Sequence, residues 1–287
     1  MIRHAVLQFR PEKGQIQANL ARLTEHLKAL LPHAPEVVVL PEAALTGYFL
    51  QGGVRELALT RHELLELLSE VHRRAGYEGM LDLVVGFYER DGGAFYNSAA
   101  YLELPHRVVH VHRKVFLPTY GVFDEERYLA RGQRVAAFDT RFGRAALLIC
   151  EDFWHSVTAT IAALDGAQVL YVPAASPARG FQGERPWNVE RWRILAQAVA
   201  AEHGLYVVLS SLVGFEGGKG MSGGSLAVGP DGRILGEAPL FEEAALLFGL
   251  DPARIPPVRY DNPLLSDLEA GLPLLLDDLT RVLGRRA

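Results

Sequence analysis

The chain has 287 residues, 49% of them hydrophobic and 22% charged, with a formal net charge of −5 at pH 7. That balance provides apolar material for a sizeable core and excludes the broad basic face that nucleic acid or an anionic membrane needs. A single cysteine, Cys150, excludes an internal disulfide and any multi-cysteine metal cage.

Residues 2–9 read as a first strand with no signal-peptide pattern, and no apolar run reaches the length of a bilayer crossing, so a cytoplasmic protein is expected. An amphipathic helix over 15–31 follows, with Leu20, Leu23, Leu27 and Leu30 on one face, then a short apolar strand at 37–40. Next come a helix over 58–75, a strand at 83–88, a turn at 91–93 and strands near 95–103 and 107–113. Residues 142–150 hold another strand, followed by a helix over 156–164, a strand at 168–172 and a long helix over 187–203. Strands at 205–213 and 224–229, a turn at 230–232, and strands near 233–236 and 244–250 complete the pattern. No linker-like tract divides the chain, so one α/β domain over 1–251 is expected, sheets inside and helices outside. Residues 252–287 form a Pro-rich, then Leu-rich tail that can pack on its own body or on a neighbouring subunit.

Three apolar strands end on reactive side chains: Val37-Val-Val-Leu-Pro-Glu42, Val108-Val-His-Val-His-Arg-Lys114 and Ala145-Ala-Leu-Leu-Ile-Cys150. Strand ends are where α/β sheets build ligand sites. Taken singly, the cysteine is equally a small buried hydrophobe, and the glutamate and lysine are solvated strand ends. Together they form a chemical set. A thiol with a pKa near about 8.5 needs a base or a positive field to attack at neutral pH. Glu42 can take its proton and return it to a departing amine, while Lys114 and the backbone N–H after the cysteine can hold an oxyanion.

The blocks Leu40-Pro-Glu42 with Leu45-Thr-Gly-Tyr48, His112-Arg-Lys114-Val-Phe-Leu-Pro118, and Ile149-Cys-Glu-Asp152 resemble the signature segments of the carbon–nitrogen hydrolase (nitrilase) superfamily, in order and over nearly the whole chain. The resemblance implies a Glu42–Lys114–Cys150 triad, a further family glutamate at Glu125, a four-layer αββα sandwich and a homo-oligomer. It implies no cofactor and no metal.

A finer resemblance, to the glutaminase part of glutamine-dependent NAD synthetases, lies in Leu117-Pro-Thr-Tyr-Gly-Val-Phe-Asp-Glu125, Cys150-Glu-Asp-Phe-Trp154, Ala175-Ser-Pro177 and Gly223-Gly-Ser225. Thr119 and Leu129 depart from that pattern, where the family commonly has asparagine and phenylalanine. The resemblance implies that Tyr48, Tyr120, Glu151 and Ser176 line a glutamine pocket. An amino-acid substrate also needs an acceptor for its ammonium, for which Glu151 is suited, and donors for its carboxylate, for which Arg179 or Arg185 is available.

The ATP-binding Ser-Gly-Gly-x-Asp-Ser loop of the synthetase part is missing. Ser222-Gly-Gly-Ser225 lacks the aspartate and reads as a tight approach to a strand, and Gly217-Gly-Lys-Gly220 lacks the Ser or Thr of a phosphate loop. The expectation is a free-standing glutaminase that supplies ammonia to a separate NAD synthetase. A generic amidase or N-carbamoyl amide hydrolase is the alternative, and a non-catalytic regulatory binding protein, expected to carry a broken triad, ranks below it. His110 and His112 share a strand face without a clear third ligand and read as strand histidines, and His155 is left outside the catalytic set.

Overall fold

The computed structural model describes residues 1–183 and 185–285, and its apolar runs form two six-stranded sheets. The first runs, edge to edge, Ala244–Leu250, Ile2–Gln8, Val37–Val39, Leu81–Asp91, Ala94–Leu104 and Arg107–Arg113. The second runs Ile234–Glu237, Leu226–Val228, Tyr206–Ser211, Val169–Ala174, Gly143–Leu147 and Ala137–Thr140. Ile2–Gln8 and Leu81–Asp91 of one sheet lie against Tyr206–Ser211 and Val169–Ala174 of the other. The parallel strands at the centre are covered on both faces, so they read as unbroken apolar runs and not as alternation.

Helices close both outer faces. Ile16–Leu30 and Arg61–Ala75 bury Leu20, Leu23, Leu27, Leu64, Leu68 and Val71 against the first sheet. The second of these starts at a capping box between Thr60 and Glu63, whose reciprocal hydrogen bonds satisfy free N–H groups of the first turn. Ser156–Leu164 and Trp187–His203 set Ala159, Ala162, Trp192 and Ala196 on the second sheet. The result is the expected αββα sandwich.

Several elements differ from the sequence reading. The stretch 205–213 ends as a sheet strand at Ser211, and Val213–Glu216 pairs instead with Lys219–Ser222 in a separate hairpin. Gly217 and Gly218, with φ of 55° and 76°, make its turn, which explains the glycine cluster without a phosphate. At Gly223 a Cβ would stand 2.5 Å from the Gln8 side chain, so this segment is the close approach to a strand that its composition suggests.

The tail is two helices, Ile255–Asp261 and Leu264–Gly284. Ile255 is buried and the Arg259 guanidinium donates to the carbonyls of His203, Gly204 and Ala167, so the tail's first part packs on its own body. The second helix buries only Leu265.

One glycine sets the depth of the site. A Cβ on Gly86 would lie 2.5 Å from the Glu42 Cα and 2.7 Å from both the Ala43 N and the Pro41 O, all backbone atoms. Gly86→Ala is expected to lower stability by roughly 1–3 kcal/mol through overpacking, read as a lower urea midpoint. An unchanged midpoint contradicts this.

Candidate active site

Glu42 follows strand Val37–Val39, and Lys114 follows Arg107–Arg113, which runs in the same direction three ladders away. Cys150 comes three residues after Gly143–Leu147 in the other sheet. The ends of the two sheets meet there: the Ala175 N–H, just past Val169–Ala174, donates to Glu42 Oε2 at 2.7 Å. The cysteine sits in a sharp turn with φ 44° and ψ −102°, a strained backbone for a residue with a Cβ, and the one-turn helix Glu151–Trp154 follows at once. That turn directs the buried thiol towards the cavity at the mouth of the sheet.

The three side chains share one buried network. Lys114 Nζ, with no exposed surface, donates to Glu42 Oε1 at 2.7 Å and to Glu125 Oε1 at 2.8 Å. Asn97 Nδ2 bridges the same two carboxylates at 2.7 and 3.2 Å. Burial opposes the charge on Lys114, but the Glu125 and Glu42 carboxylates outweigh it and hold the ammonium well above its ordinary range. Burial also pushes Glu125 up to about 6, with the Lys114 charge pulling the other way. The Cys150 thiol is pushed well up by burial and then by the Glu42 charge, against the pull of Lys114, and its Sγ lies 3.9 Å from the Ala175 carbonyl oxygen. At neutral pH Cys150 therefore rests as a thiol, and acting as a nucleophile would require a base at the moment of attack.

A cavity of about 420 Å³ opens in front of Cys150. Tyr120, Glu151, Ser176 and Arg179 all line it, together with Trp154, Trp187, Asn188 and Arg191. The Tyr120 hydroxyl, its pKa pushed up to about 12 by burial and the neighbouring carboxylate, donates to both Glu151 oxygens at 3.0 and 2.9 Å. Asn188 Nδ2 donates to Ser176 Oγ at 2.9 Å and fixes that hydroxyl. The Arg179 and Arg191 guanidiniums lie over the rings of Phe123 and Trp154, and among the described residues neither has a carboxylate partner.

Two residues read as pocket residues stand elsewhere. Tyr48 is buried beneath the triad, its hydroxyl donating to Glu125 Oε1 at 2.5 Å and its ring centre 5.7 Å from Lys114 Nζ, so it braces the ion pair and does not line the cavity. Arg185 turns to Glu190 at 2.7 Å, away from the cavity.

Other contributors escaped the sequence reading. Asn97 is one polar position in the long strand Ala94–Leu104, with no pattern to mark it. Arg191 and Trp187 lie on a helix whose aromatic and basic residues read as ordinary packing. His112 Nε2 donates to Asp152 Oδ2, 2.8 Å away, while His110 stacks on Phe138, so the two histidines do not converge. Among the described residues no three His, Cys, Asp or Glu side chains are grouped to hold a metal ion. No described helix is long and apolar enough to cross a membrane.

The sequence profile for carbon–nitrogen hydrolases matches residues 3–260. A glutamine-dependent NAD(+) synthetase of Thermotoga maritima is 28% identical over 254 residues, which are 87% of this chain and 42% of that protein. The chain thus spans less than half the length of that relative. A citrullinase of Francisella tularensis is 25% identical over 288 residues, 98% of both chains. In structure, a carbon–nitrogen hydrolase of Helicobacter pylori superposes with a TM-score of 0.84 at 26% identity, covering 96% of this chain and 98% of that one.

The charges around Cys150 make an opposed pair of outcomes testable. Because the Glu42 carboxylate raises the thiol pKa, Glu42→Gln is expected to shift iodoacetamide alkylation of Cys150 to lower pH. Loss of the base is expected to slow amide turnover by roughly 10²–10⁴-fold in the same variant. An alkylation profile that stays put or moves to higher pH contradicts the electrostatics.

Proposed function

This chain belongs to the carbon–nitrogen hydrolase family, and from that premise we propose that it is a cysteine-dependent glutaminase. In this reading Glu42 takes the Cys150 proton and the thiolate attacks the side-chain amide carbon. Lys114 Nζ and the Glu151 N–H hold the oxyanion. Ammonia leaves with the proton from Glu42, and a water deprotonated by the same carboxylate cleaves the thioester. Glu125, hydrogen-bonded to Lys114 at 2.8 Å, keeps the ammonium aimed between the two acids.

The observation that carries the substrate class is the charge layout of the cavity. Glu151 and the Tyr120 hydroxyl offer an acceptor for an α-ammonium, and Arg179 and Arg191 offer donors for an α-carboxylate, with Cys150 in the same wall. An α-amino acid with a terminal carboxamide satisfies both ends. Citrulline carries the same head group and ends in a ureido group, so a citrulline hydrolase is the second reading, favoured by the end-to-end match to the Francisella protein. Tyr48 and Arg185 take no part in substrate contact in either reading.

We further propose that the ammonia serves a separate NAD synthetase, the activity named in the Thermotoga relative. Self-association through the tail is proposed as well. From Pro273 onward every described residue is exposed, and Leu272, Leu275, Leu276, Leu279, Val282 and Leu283 form one apolar stripe on the helix Leu264–Gly284. Asp267 and Glu269 lie at its start, while Asp277, Asp278 and Arg281 mix both signs toward its end, so the apolar stripe and not a charge pattern supports pairing with a second copy.

Purified protein is expected to release ammonia from glutamine, with citrulline as the comparison substrate and Cys150→Ala inactive on both. Release from neither, alone or with an NAD synthetase present, contradicts the reading. Light scattering is expected to give a dimer or larger for the native chain, reduced in mass by the pair Leu275→Glu and Leu279→Glu. A native monomer contradicts the proposed role of the tail.

A further inference from the structure

Stabilising an oxyanion requires two donors from different sheets to stand at one fixed spacing: Lys114 Nζ after strand Arg107–Arg113, and the Glu151 N–H at the cysteine turn. One buried side chain connects those two segments. Asp152 Oδ1 accepts from the backbone N–H groups of Val115 and Phe116, both at 2.9 Å, immediately after the lysine. Its Oδ2 accepts from the Ile149 N–H at 3.2 Å, immediately before the cysteine, and lies 2.8 Å from His112 Nε2. Asp152 and His112 are both buried, and the Thr158 hydroxyl donates to the Asp152 carbonyl at 2.6 Å, which pins the backbone as well.

Resting on the acyl-transfer reading of this site, we infer that Asp152 is a positioning residue that sets the spacing between the two oxyanion donors, with His112 orienting its carboxylate. The carboxylate touches neither the thiol nor any wall of the cavity. It fixes the turn 149–152 against the loop 114–116, so the peptide N–H between Cys150 and Asp152 cannot swing away from Lys114. An acceptor-only side chain is required, because three backbone N–H groups converge on it. An asparagine of the same shape turns an amide NH₂ towards at least one of those donors in either flip state.

A direct test compares Asp152→Asn with the native chain in two reactions at Cys150. Amide turnover needs the oxyanion donors, whereas alkylation by iodoacetamide is a displacement that does not. The expected result is a fall in kcat of roughly 100-fold, in line with loss of an oxyanion donor. KM and the alkylation rate are expected to stay within about threefold of native, since the variant keeps the Lys114 and Glu42 charges that bias the thiol and leaves the cavity wall unchanged. Equal loss of turnover and alkylation, or unchanged kcat, overturns the inference.

Should Asp152→Asn fail to fold, the pair His112→Phe and His112→Gln decides. The glutamine keeps a donor for Asp152 and is expected to retain most of kcat, while the phenylalanine loses it with alkylation intact. Equal kcat in the two overturns the inference. A native chain that alkylates at Cys150 but turns over no amide points instead to failure of the glutaminase reading.

Discussion

The site depends on one buried ammonium shared by two carboxylates. Lys114 has no exposed surface, and among the described residues its charge partners within hydrogen-bond reach are Glu42 and Glu125. Removing one partner from such a buried group costs on the order of 3–5 kcal/mol, because the remaining charge is left in a medium that cannot solvate it. That constraint accounts for the surrounding construction. Asn97 bridges the carboxylates, the Tyr48 hydroxyl braces Glu125, and the Ala175 N–H ties Glu42 to the opposite sheet. With those contacts in place, Glu42 holds a geometry from which it can serve as a base, and Lys114 keeps its charge where the proposed mechanism places an oxyanion.

The same balance explains why the thiol is held in reserve. Burial and the Glu42 charge both disfavour a thiolate, so Cys150 does not become a standing nucleophile by ionising alone. In the proposed mechanism proton transfer to Glu42 is coupled to attack, and the developing charge is met by Lys114. A thiol held neutral in this way reacts slowly with stray electrophiles, which is a physical route to selectivity. The strained turn at Cys150, with φ 44°, is the backbone cost of bringing that sulfur to the mouth of the sheet.

Much of this was legible from the residues, and the reason is local. Glu42, Lys114 and Cys150 each follow a short apolar run, and a strand end is visible in one sequence window. Residues whose role is set only by tertiary approach were not. Asn97 and Asp152 lie in stretches where a buried polar group gives no periodic signal, and Arg191 sits on a helix whose basic residues resemble a solvated face. Tyr48 shows the converse. It lies in a family-like block close to the chemistry, and its hydroxyl faces Glu125 in place of the cavity. The strand reading 205–213 runs past Ser211 into Val213, because Leu212 and Val213 continue the apolar pattern, and the rest of the hairpin to Ser222 carries no strand signal in a glycine-rich stretch. The sequence leaves open whether the tail packs on its own body or on a neighbour, because the leucines of its second half satisfy no core of the same chain.

The central claim is that Cys150 attacks an amide at the end of an amino acid whose head group is held by Glu151, Arg179 and Arg191. Its most direct test is labelling with a glutamine analogue that carries a diazoketone in place of the side-chain amide, followed by peptide mass spectrometry. The account predicts a single adduct on Cys150, slowed by excess glutamine and absent from Lys114→Met. No adduct at Cys150, or an adduct whose rate ignores glutamine, would contradict it.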